Sequence, residues 1–299
     1  MNKKLPDFLI VGAAKCGTTS LGDYLNEHKN MFICNPKEPK YLTYSFLENA
    51  YKGKGDDFTK KKAIKTLEGY KDLFKKAKDN QYKGESSVDL LYYYDQSIPV
   101  IKEVLGDPKI IIMLRNPSKR AFSAYGHLIR DGRENLSFIE GLEKEDERMK
   151  LDYEFIWAYK NASFYADSTK AFLENFTNVK VIIFEEFVKN QEEITNEVLE
   201  FLGVKNESNN FSEVHRNISG KPKSQLLNTL LLKDSFVKSI LKALLPSSFR
   251  ARVKYVIQKN NLKPLETKQD EANYLNGVFD NDIDKLQEIL QKDLSFWKQ

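Results

Sequence analysis

Cysteine, histidine and long apolar runs are all scarce in this 299-residue chain, which has two cysteines and three histidines. Cys16 and Cys34 do not form a C-x-x-C pair, so a disulfide framework and a cysteine zinc site are excluded. No run approaches the ~20 apolar residues of a membrane-spanning helix, and the apolar segment near the N-terminus is too short for a signal peptide. We therefore expect a soluble, cytoplasmic protein without a transmembrane segment.

Neither sign of charge is in large excess. The chain has 47 basic and 43 acidic residues, a net charge of +4. A nucleic-acid-binding protein would carry a dense basic face, so nucleic acid is not a predicted partner, although a local anion site is compatible with this balance. Hydrophobic residues make up 41% of the chain and charged residues 30%, which indicates a folded globular protein with a substantial core.

Short, continuous apolar runs predict strands that are buried on both faces. Three such runs are Phe8–Val11, Ile110–Leu114 and Val179–Phe184, and a weaker candidate is Tyr82–Ser87. Helical patterns lie between them, at about 17–28, 60–78, 96–105, 117–131, 137–149, 161–175 and 190–202. This alternation predicts an α/β fold with a central, mostly parallel sheet flanked by helices.

One domain over residues 1–299 is the simplest organisation, because no internal repeat or low-complexity linker divides the chain. The predicted strands all fall within about 5–225, which we expect to form the ligand-binding core. From about 225 to 299 leucine and isoleucine recur at helical spacing, so this part is predicted to be helical.

A turn of small residues, GAAKCGTTSL at Gly12–Leu21, follows the first predicted strand. Backbone N–H groups and the positive end of a helix dipole make such a turn an anion site. The nucleoside-triphosphate version is G-x-x-x-x-G-K-[ST]. Here Gly12 and Gly17 are correctly spaced, but Thr18 replaces the lysine, which stands earlier, at Lys15. The displaced lysine favours a different anion geometry with less need for a metal, and the alternative is a tight turn with a solvated lysine.

A second candidate anion site follows another predicted strand. Arg115 stands at the carboxyl end of that strand, where ligands bind in doubly wound sheets. Asn116 and Pro117 then signal a helix start, and Arg120 and Ser123 are three residues apart on that helix. An arginine and a hydroxyl suit a phosphate monoester, which a guanidinium can bind bidentately. Taken alone, a salt bridge and an ordinary helix serine would explain the same residues.

Together the two segments resemble the cofactor motifs of the sulfotransferases that use 3′-phosphoadenylyl sulfate (PAPS). Gly12–Leu21 looks like the 5′-phosphosulfate loop, and Ile110–Tyr125 resembles the 3′-phosphate motif. Three more segments are similar in the same order: Asn35–Leu42, Gly84–Ser87 and Asn217–Ser224. The first of these three resembles the lysine–glutamate segment of carbohydrate sulfotransferases. The resemblance is therefore greatest to the carbohydrate (heparan-sulfate-like) and bacterial members.

The resemblance implies a P-loop-type domain that uses PAPS as sulfuryl donor, releases PAP and needs no metal. The implied cofactor-binding residues are Lys15, Cys16, Gly17, Thr18, Thr19, Ser20, Arg115, Ser123, Arg216 and Lys221. Lys15 would lie near the bridging oxygen of the phosphosulfate, and Arg115 with Ser123 would hold the 3′-phosphate. Lys221, together with Arg216 or Lys223, would close the nucleotide site.

The resemblance also implies a catalytic base, Glu38, at the position of the catalytic glutamate in carbohydrate sulfotransferases. Lys37 and Lys40 flank it and would favour its carboxylate form. These two lysines and His127 are candidate substrate-binding residues, and His127 is the alternative base. His28 is predicted to cap the end of the first helix.

Several interpretations stay open. Cys16 lies at a helix start beside a lysine, which could lower its thiol pKa, but no base partner is evident and a small loop residue is the simpler interpretation. Cys34 is expected to be buried. A P-loop kinase or NTPase and a non-catalytic nucleotide-binding module are the alternative functions. The acceptor is expected to be a saccharide or another hydroxyl-bearing metabolite, with O- or N-sulfation undecided.

Overall fold

The computed structural model describes residues 4–48, 50–204, 221–224, 260–263, 266 and 268–298. Its centre is a five-stranded sheet in the order β2-β3-β1-β4-β5, in which every pair of neighbours is parallel. The strands are β1 (Phe8–Gly12), β2 (Met31–Ile33), β3 (Tyr82–Ser86), β4 (Lys109–Leu114) and β5 (Val179–Ile183). A short antiparallel pair joins β6 (Lys221–Pro222) to β7 (Leu262–Lys263). The predicted α/β fold with a parallel sheet is confirmed.

Two of the three apolar runs form the central strands β1 and β4, whereas the third forms the edge strand β5, in which only the last two residues are buried. All five residues of β1 and the last five of β4 are buried. In the register of β1 against β3, Phe8 lies opposite Gly84, and a Cβ atom on this glycine would clash with the Phe8 ring. Gly84 therefore lets an aromatic ring pack across the strand pair at the centre of the sheet.

Thirteen helices can be assigned in the described ranges, apart from 3₁₀ turns. They are α1 (Thr18–Glu27), α2 (Tyr41–Leu47), α3 (Asp57–Lys61), α4 (Leu67–Asp72), α5 (Tyr94–Leu105), α6 (Pro117–Arg130), α7 (Phe138–Glu143), α8 (Glu145–Lys150), α9 (Ala166–Asn175), α10 (Phe184–Lys189), α11 (Gln191–Leu202), α12 (Gln269–Tyr274) and α13 (Asp280–Leu290). Helix α1 contacts β2, β3 and α11, whereas α5 and α13 both contact α9. None of the helices described has the length and apolarity needed to cross a membrane.

Some sequence-based boundaries are wrong. The helix predicted at 60–78 is interrupted, because Thr66 ends the connection after α3 and caps α4 by accepting a hydrogen bond from the Gly69 N–H at 3.1 Å. The helix predicted at 137–149 is two short helices that meet at Lys144. The one predicted at 161–175 starts as a 3₁₀ turn before α9. In each case a local cap or turn overrides a continuous helical pattern.

Five elements were not predicted: the strands β2, β6 and β7 and the helices α2 and α10. Strand β2 has only three residues, too few to show a period, and it exists because it pairs with β3, with Met31 opposite Tyr82. Helices α2 and α10 are each shorter than two full turns and follow a loop or a strand directly. Tertiary pairing rather than local pattern defines such elements.

The C-terminal part of the chain contacts the sheet domain. The Asp282 carboxylate accepts hydrogen bonds from the backbone N–H groups of Tyr165, at 2.7 Å, and Ala166, at the start of α9. The Asn116 side-chain amide donates to the Trp297 carbonyl at 2.9 Å. Of the helical region predicted from about 225, α12 and α13 are helical, Leu262–Lys263 form strand β7 instead, and residues 225–259 lie outside the described residues. The division of the chain at about 225 stays a prediction.

Candidate active site

The segment from β1 into α1 (residues 12–20), which is predicted to bind an anion and is called the anion loop below, lies at the carboxyl edge of the sheet. Lys15 has φ 71° and Gly17 has φ 88°, both in the left-handed region. A Cβ atom on Gly17 would approach the Phe184 ring to 2.8 Å, so glycine is required there for space as well as for φ. Helix α1 begins at the next residue, Thr18, and the loop therefore ends at a helix N-terminus.

Arg115 lies beside this loop, as its position after β4 predicts. Its Nη1 atom donates to the Lys15 carbonyl at 3.3 Å, and its guanidinium lies 4.7 Å from the centre of the Phe184 ring. Its Nε atom is buried and has no hydrogen-bond partner among the described residues. Ser123 lies on α6, two turns beyond Arg115, with a half-buried side chain. Arg115 thus has one donor whose hydrogen bond is not made within the described residues.

Arg120 does not share an open surface with Ser123, contrary to the prediction from their spacing. It is fully buried, and it donates from Nε to the Ala14 carbonyl at 3.1 Å and from Nη1 to the Tyr159 carbonyl at 3.0 Å. The face of α6 that carries Arg120 is covered by the segment around Tyr159. Arg120 therefore supports the backbone of the anion loop from inside the protein.

Lys37 connects the lysine–glutamate segment to the anion loop. Its Nζ atom donates to the Thr19 hydroxyl at 2.7 Å and to the Thr18 hydroxyl at 3.2 Å. The same Nζ atom lies 4.0 Å from the Glu38 carboxylate. Two segments that were separate in the sequence, one predicted to bind cofactor and one predicted to bind substrate, are therefore in direct contact.

Glu38 lies in the loop between β2 and α2, beside the carboxyl end of β3, with its carboxylate among cations. Its backbone N–H donates to the Ser86 carbonyl at 3.1 Å, and its carboxylate is 3.3 Å from the Lys40 Nζ atom. Burial alone would raise the pKa of Glu38, but Lys40 and Lys37 outweigh it and hold the pKa below its ordinary value. As the flanking lysines predicted, Glu38 is a carboxylate at neutral pH.

Lys40 was predicted to bind substrate, and its environment does not favour that role. Its side chain is 4% exposed, and its Nζ atom is 3.2 Å from the buried carboxylate of Asp89. An enclosed ammonium already paired with two carboxylates has little surface left for a substrate. Spacing in the sequence could not show this, because Asp89 comes from a distant segment.

Lys15 stands in a strongly basic environment. Loss of solvent and the nearby Arg130 lower its pKa to about 7, Arg120 and Lys37 act in the same direction, and Asp131 opposes them. With such a low pKa, Lys15 has too little negative charge around it to stabilise its ammonium form. A bound phosphate or sulfate group would supply that charge and restore the cation.

His127 lies near Lys15 on α6 and is neutral. Its Nδ1 atom is 2.6 Å from the Arg130 Nη2 atom, and its Nε2 atom is 3.6 Å from the Asp131 carboxylate. Burial, followed by the charges of Lys15 and Arg130, lowers the pKa of His127 well below its ordinary value. Because a guanidinium can only donate, Nδ1 is the acceptor and the proton is on Nε2. The unprotonated nitrogen, Nδ1, already accepts a hydrogen bond from Arg130 and is therefore not free to act as a base.

The cysteines and His28 have structural environments. The Cys16 thiol is buried 3.9 Å from the Tyr165 hydroxyl, and burial raises its pKa to about 11. Desolvation outweighs the lowering that the helix start could have caused, which fits the interpretation of Cys16 as a small loop residue, and any contact of Cys16 with a cofactor is left to its backbone. Cys34 is buried, as predicted. His28 follows the last residue of α1, and its Nδ1 atom accepts from the Asn30 N–H at 3.2 Å, which confirms the predicted cap.

Sequence reasoning missed two residues of this region, Arg130 and Asp89. Arg130 follows Ser123 and His127 at helical spacing on the same face of α6, so that periodicity could have identified it. Asp89 lies in an irregular segment after β3, where no periodicity exists. Of the predicted closing loop, Arg216 lies outside the described residues, and Lys221 begins β6.

The chain is similar to known proteins in both sequence and fold. The sequence profile described as "Sulfotransferase family" matches residues 6–208. A solved structure, the sulfotransferase from Alicyclobacillus acidocaldarius, is similar over 98% of this chain and 99% of that chain, with 32% identity and a TM-score of 0.77. The similarity thus covers nearly the whole of both chains.

Curated relatives match over a shorter segment. The bifunctional heparan sulfate N-deacetylase/N-sulfotransferase 1 of Caenorhabditis elegans is 29% identical over 128 residues, which are 42% of this chain and 13% of that protein. The human N-deacetylase/N-sulfotransferase 2 is 29% identical over 131 residues, again 42% of this chain and 13% of that protein. The matched segment is a small part of each relative. Since the family profile covers more than half of the chain and a solved sulfotransferase covers nearly all of it, this protein belongs to the sulfotransferase family.

Proposed function

We propose that this protein transfers a sulfuryl group from PAPS to a hydroxyl or amine of a saccharide acceptor. The observation that carries the proposal is the contact between the anion loop and the Glu38 segment through Lys37, at 2.7 Å from Thr19. It brings the loop proposed to hold the donor and the candidate base to one edge of the sheet. We also propose a cytoplasmic location, which the free thiols of Cys16 and Cys34 fit.

The residues fit a nucleotide that carries a 3′-phosphate and a 5′-phosphosulfate. Among the described residues Arg115 has a buried donor without a hydrogen-bond partner, and the cations near Lys15 outweigh the one carboxylate, Asp131, that favours its charged form. The residues that would hold the phosphosulfate are Lys15, Gly17, Thr18, Thr19 and Ser20. Arg115 and Ser123 would hold the 3′-phosphate, and Arg216 and Lys221 stay predicted contacts. PAPS, when bound, supplies an activated sulfuryl group, and no metal is proposed.

Glu38 is the proposed general base. Because its pKa is held low, it is present as a carboxylate that can accept the proton of an acceptor O–H or N–H group. His127 is less suited, since Arg130 occupies its Nδ1 atom. Lys15 and Lys37 place positive charge beside the loop, where oxygen atoms gain negative charge during sulfuryl transfer. The protein thus contributes positioning, charge and one proton acceptor.

The saccharide acceptor is supported by the relatives, two of which are named as heparan sulfate enzymes and match 42% of this chain. Sulfation at oxygen or at nitrogen is open. To test the acceptor, PAP release would be measured with N-unsubstituted and N-acetylated heparan oligosaccharides and with small alcohols and phenols. Turnover of small alcohols or phenols without turnover of any saccharide would reject the saccharide proposal. Absence of turnover with every acceptor would favour a nucleotide-binding module.

PAP should stabilise the protein far more than ADP in the presence of EDTA, because Arg115 and Ser123 are proposed to read the 3′-phosphate. A tenfold ratio in affinity corresponds to ~1.4 kcal/mol, and loss of a charge-assisted contact should cost at least that. Thermal-shift titration with both nucleotides measures the ratio.

Arg115→Met should remove most of this preference, whereas Lys119→Met, at an exposed position of α6, should retain it. Equal stabilisation by PAP and ADP would contradict the assignment of the 3′-phosphate site. Stronger stabilisation by ATP with magnesium would favour the kinase or NTPase alternative.

PAP binding should take up a proton at pH 8. The Lys15 pKa of about 7 leaves this lysine mostly neutral at that pH, and a bound anion favours its charged form and raises the pKa toward the ordinary 10.5. PAP affinity should therefore fall as the pH rises from 7 to 10. Calorimetry at pH 8 in two buffers with different ionisation enthalpies counts the protons. Lys15→Met should reduce the uptake by close to one proton, and an undiminished uptake would argue against this role.

A further inference from the structure

We propose that Lys40 and Asp89 form a buried ion pair that fixes the Glu38 carboxylate in place and in its charged form. Lys40 is then a positioning residue that acts through Glu38 and does not touch the acceptor. The inference rests on the proposed function only in assigning Glu38 as the base. The ion pair itself is a matter of geometry.

The Lys40 ammonium lies between two carboxylates. Its Nζ atom is 3.3 Å from the Glu38 Oε2 atom and 3.2 Å from the Asp89 Oδ2 atom. The side chains of Asp89 and Lys40 are 0% and 4% exposed, whereas that of Glu38 is 31% exposed. The Thr43 hydroxyl donates to the same Asp89 oxygen at 2.8 Å and holds it in place. Of these three side chains, only that of Glu38, the proposed base, faces solvent.

The backbone at Glu38 and Lys40 needs such support. Their φ angles are 56° and 62°, in the left-handed region that residues with a Cβ atom rarely adopt. Such conformations persist where surrounding contacts over-determine them, and they concentrate at functional sites. Here the contacts are the bond from the Glu38 N–H to the Ser86 carbonyl, at 3.1 Å, and the Lys40 ion pairs. The pair thus holds both the side chain and the turn that presents it.

The charged groups around Glu38, Lys40 and Asp89 favour the ionised form of Glu38. The groups that face Glu38 are Lys40, Lys37 and Lys15, and those that face Lys40 are Asp89, Tyr51, Glu38 and Glu154. Burial alone would lower the pKa of Lys40, but Asp89 and its other neighbours raise it well above its ordinary value. Burial alone would raise the pKa of Glu38, and Lys40 is the largest charge that opposes this. Without Lys40, Glu38 would lose that opposing charge.

The test compares the parent protein with Lys40→Met/Asp89→Asn, which removes both charges together and so avoids leaving one buried charge unpaired. Carbon-13 NMR of labelled glutamate side chains follows the titration of Glu38, with Glu38→Gln to assign its signal. We expect Glu38 to titrate below 4.5 in the parent and at least one pH unit higher in the double variant. The pH below which kcat falls should shift upward by the same amount. PAP affinity should stay within a few-fold of the parent value.

The matched control is Arg148→Met/Glu134→Gln, which removes another buried ion pair, of 2.7 Å, that is not among the groups facing Glu38. It should leave the Glu38 titration unchanged. The same titration midpoint in the parent and in Lys40→Met/Asp89→Asn would overturn the proposal. So would a parent midpoint at or above 4.5, a measurement that needs no variant of the pair to fold.

Failure of the proposed base would look different. If Glu38→Gln turned over normally while the two NMR midpoints still differed, Glu38 would not be the base and the ion pair would stand. If Glu38→Gln were inactive and the midpoints were equal, the base would stand and the ion pair would not.

Discussion

Glu38→Gln should lower turnover by roughly 10²–10⁴-fold, the usual worth of a general base, and should change PAP affinity by no more than a few-fold. Glutamine keeps the shape of the side chain and can still pair with Lys40, 3.3 Å from the Glu38 carboxylate, but it cannot accept a proton. The anion loop contacts Lys37 rather than Glu38, so the donor site should be retained. The measurement is the rate of PAP release at saturating PAPS and acceptor, with PAP affinity determined by calorimetry.

Two variants control this experiment. Glu48→Gln makes the same chemical change at an exposed position after α2 and should keep the parent rate. His127→Ala removes the alternative base and tests whether the neutral imidazole contributes. An active Glu38→Gln together with an inactive His127→Ala would move the base to His127 and the acceptor class away from sugars.

The parts of the fold that the sequence predicts are those with a local cause. Strands β1, β4 and β5 are mostly apolar runs, and helix α6 begins at Pro117 after its Asn116 cap. The turn before α1 needs a glycine at Gly17 because φ is 88°, and a glycine at that spacing is visible in the sequence. Such features depend on a few neighbouring residues, so a pattern is enough to locate them.

The environment of the charged side chains could not be predicted in the same way. Spacing on α6 places Arg120 near Ser123, but the segment around Tyr159 buries this arginine. Flanking charge predicts that Glu38 is ionised, yet the burial of Lys40 depends on Asp89, which lies far along the chain. A pattern shows which residues share a surface, and tertiary packing decides whether that surface stays open.

Lys15→Met should reduce turnover by about 10²–10³-fold, the typical effect of removing one contact that stabilises charge in the transition state. PAP affinity at pH 8, where Lys15 is mostly neutral in the free protein, should fall less, by about tenfold, because PAP lacks the sulfuryl group whose transfer this lysine is proposed to assist. Single-turnover rates with PAPS, set beside the Kd of PAP, separate the two effects.

The position of Lys15 explains why turnover should be the more sensitive quantity. Burial and the nearby cations Arg130, Arg120 and Lys37 already lower its pKa to about 7, and Lys15→Met leaves those three cations near the loop, where they can still attract a phosphate. Methionine cannot donate a hydrogen bond from its side chain at position 15, which lies within the turn with a φ of 71°. Lys119→Met, which removes an exposed lysine of α6, controls for the loss of one positive charge and should keep the parent rate. A fall in turnover no larger than the fall in PAP affinity would mean that Lys15 binds both nucleotides equally and has no separate part in the chemical step.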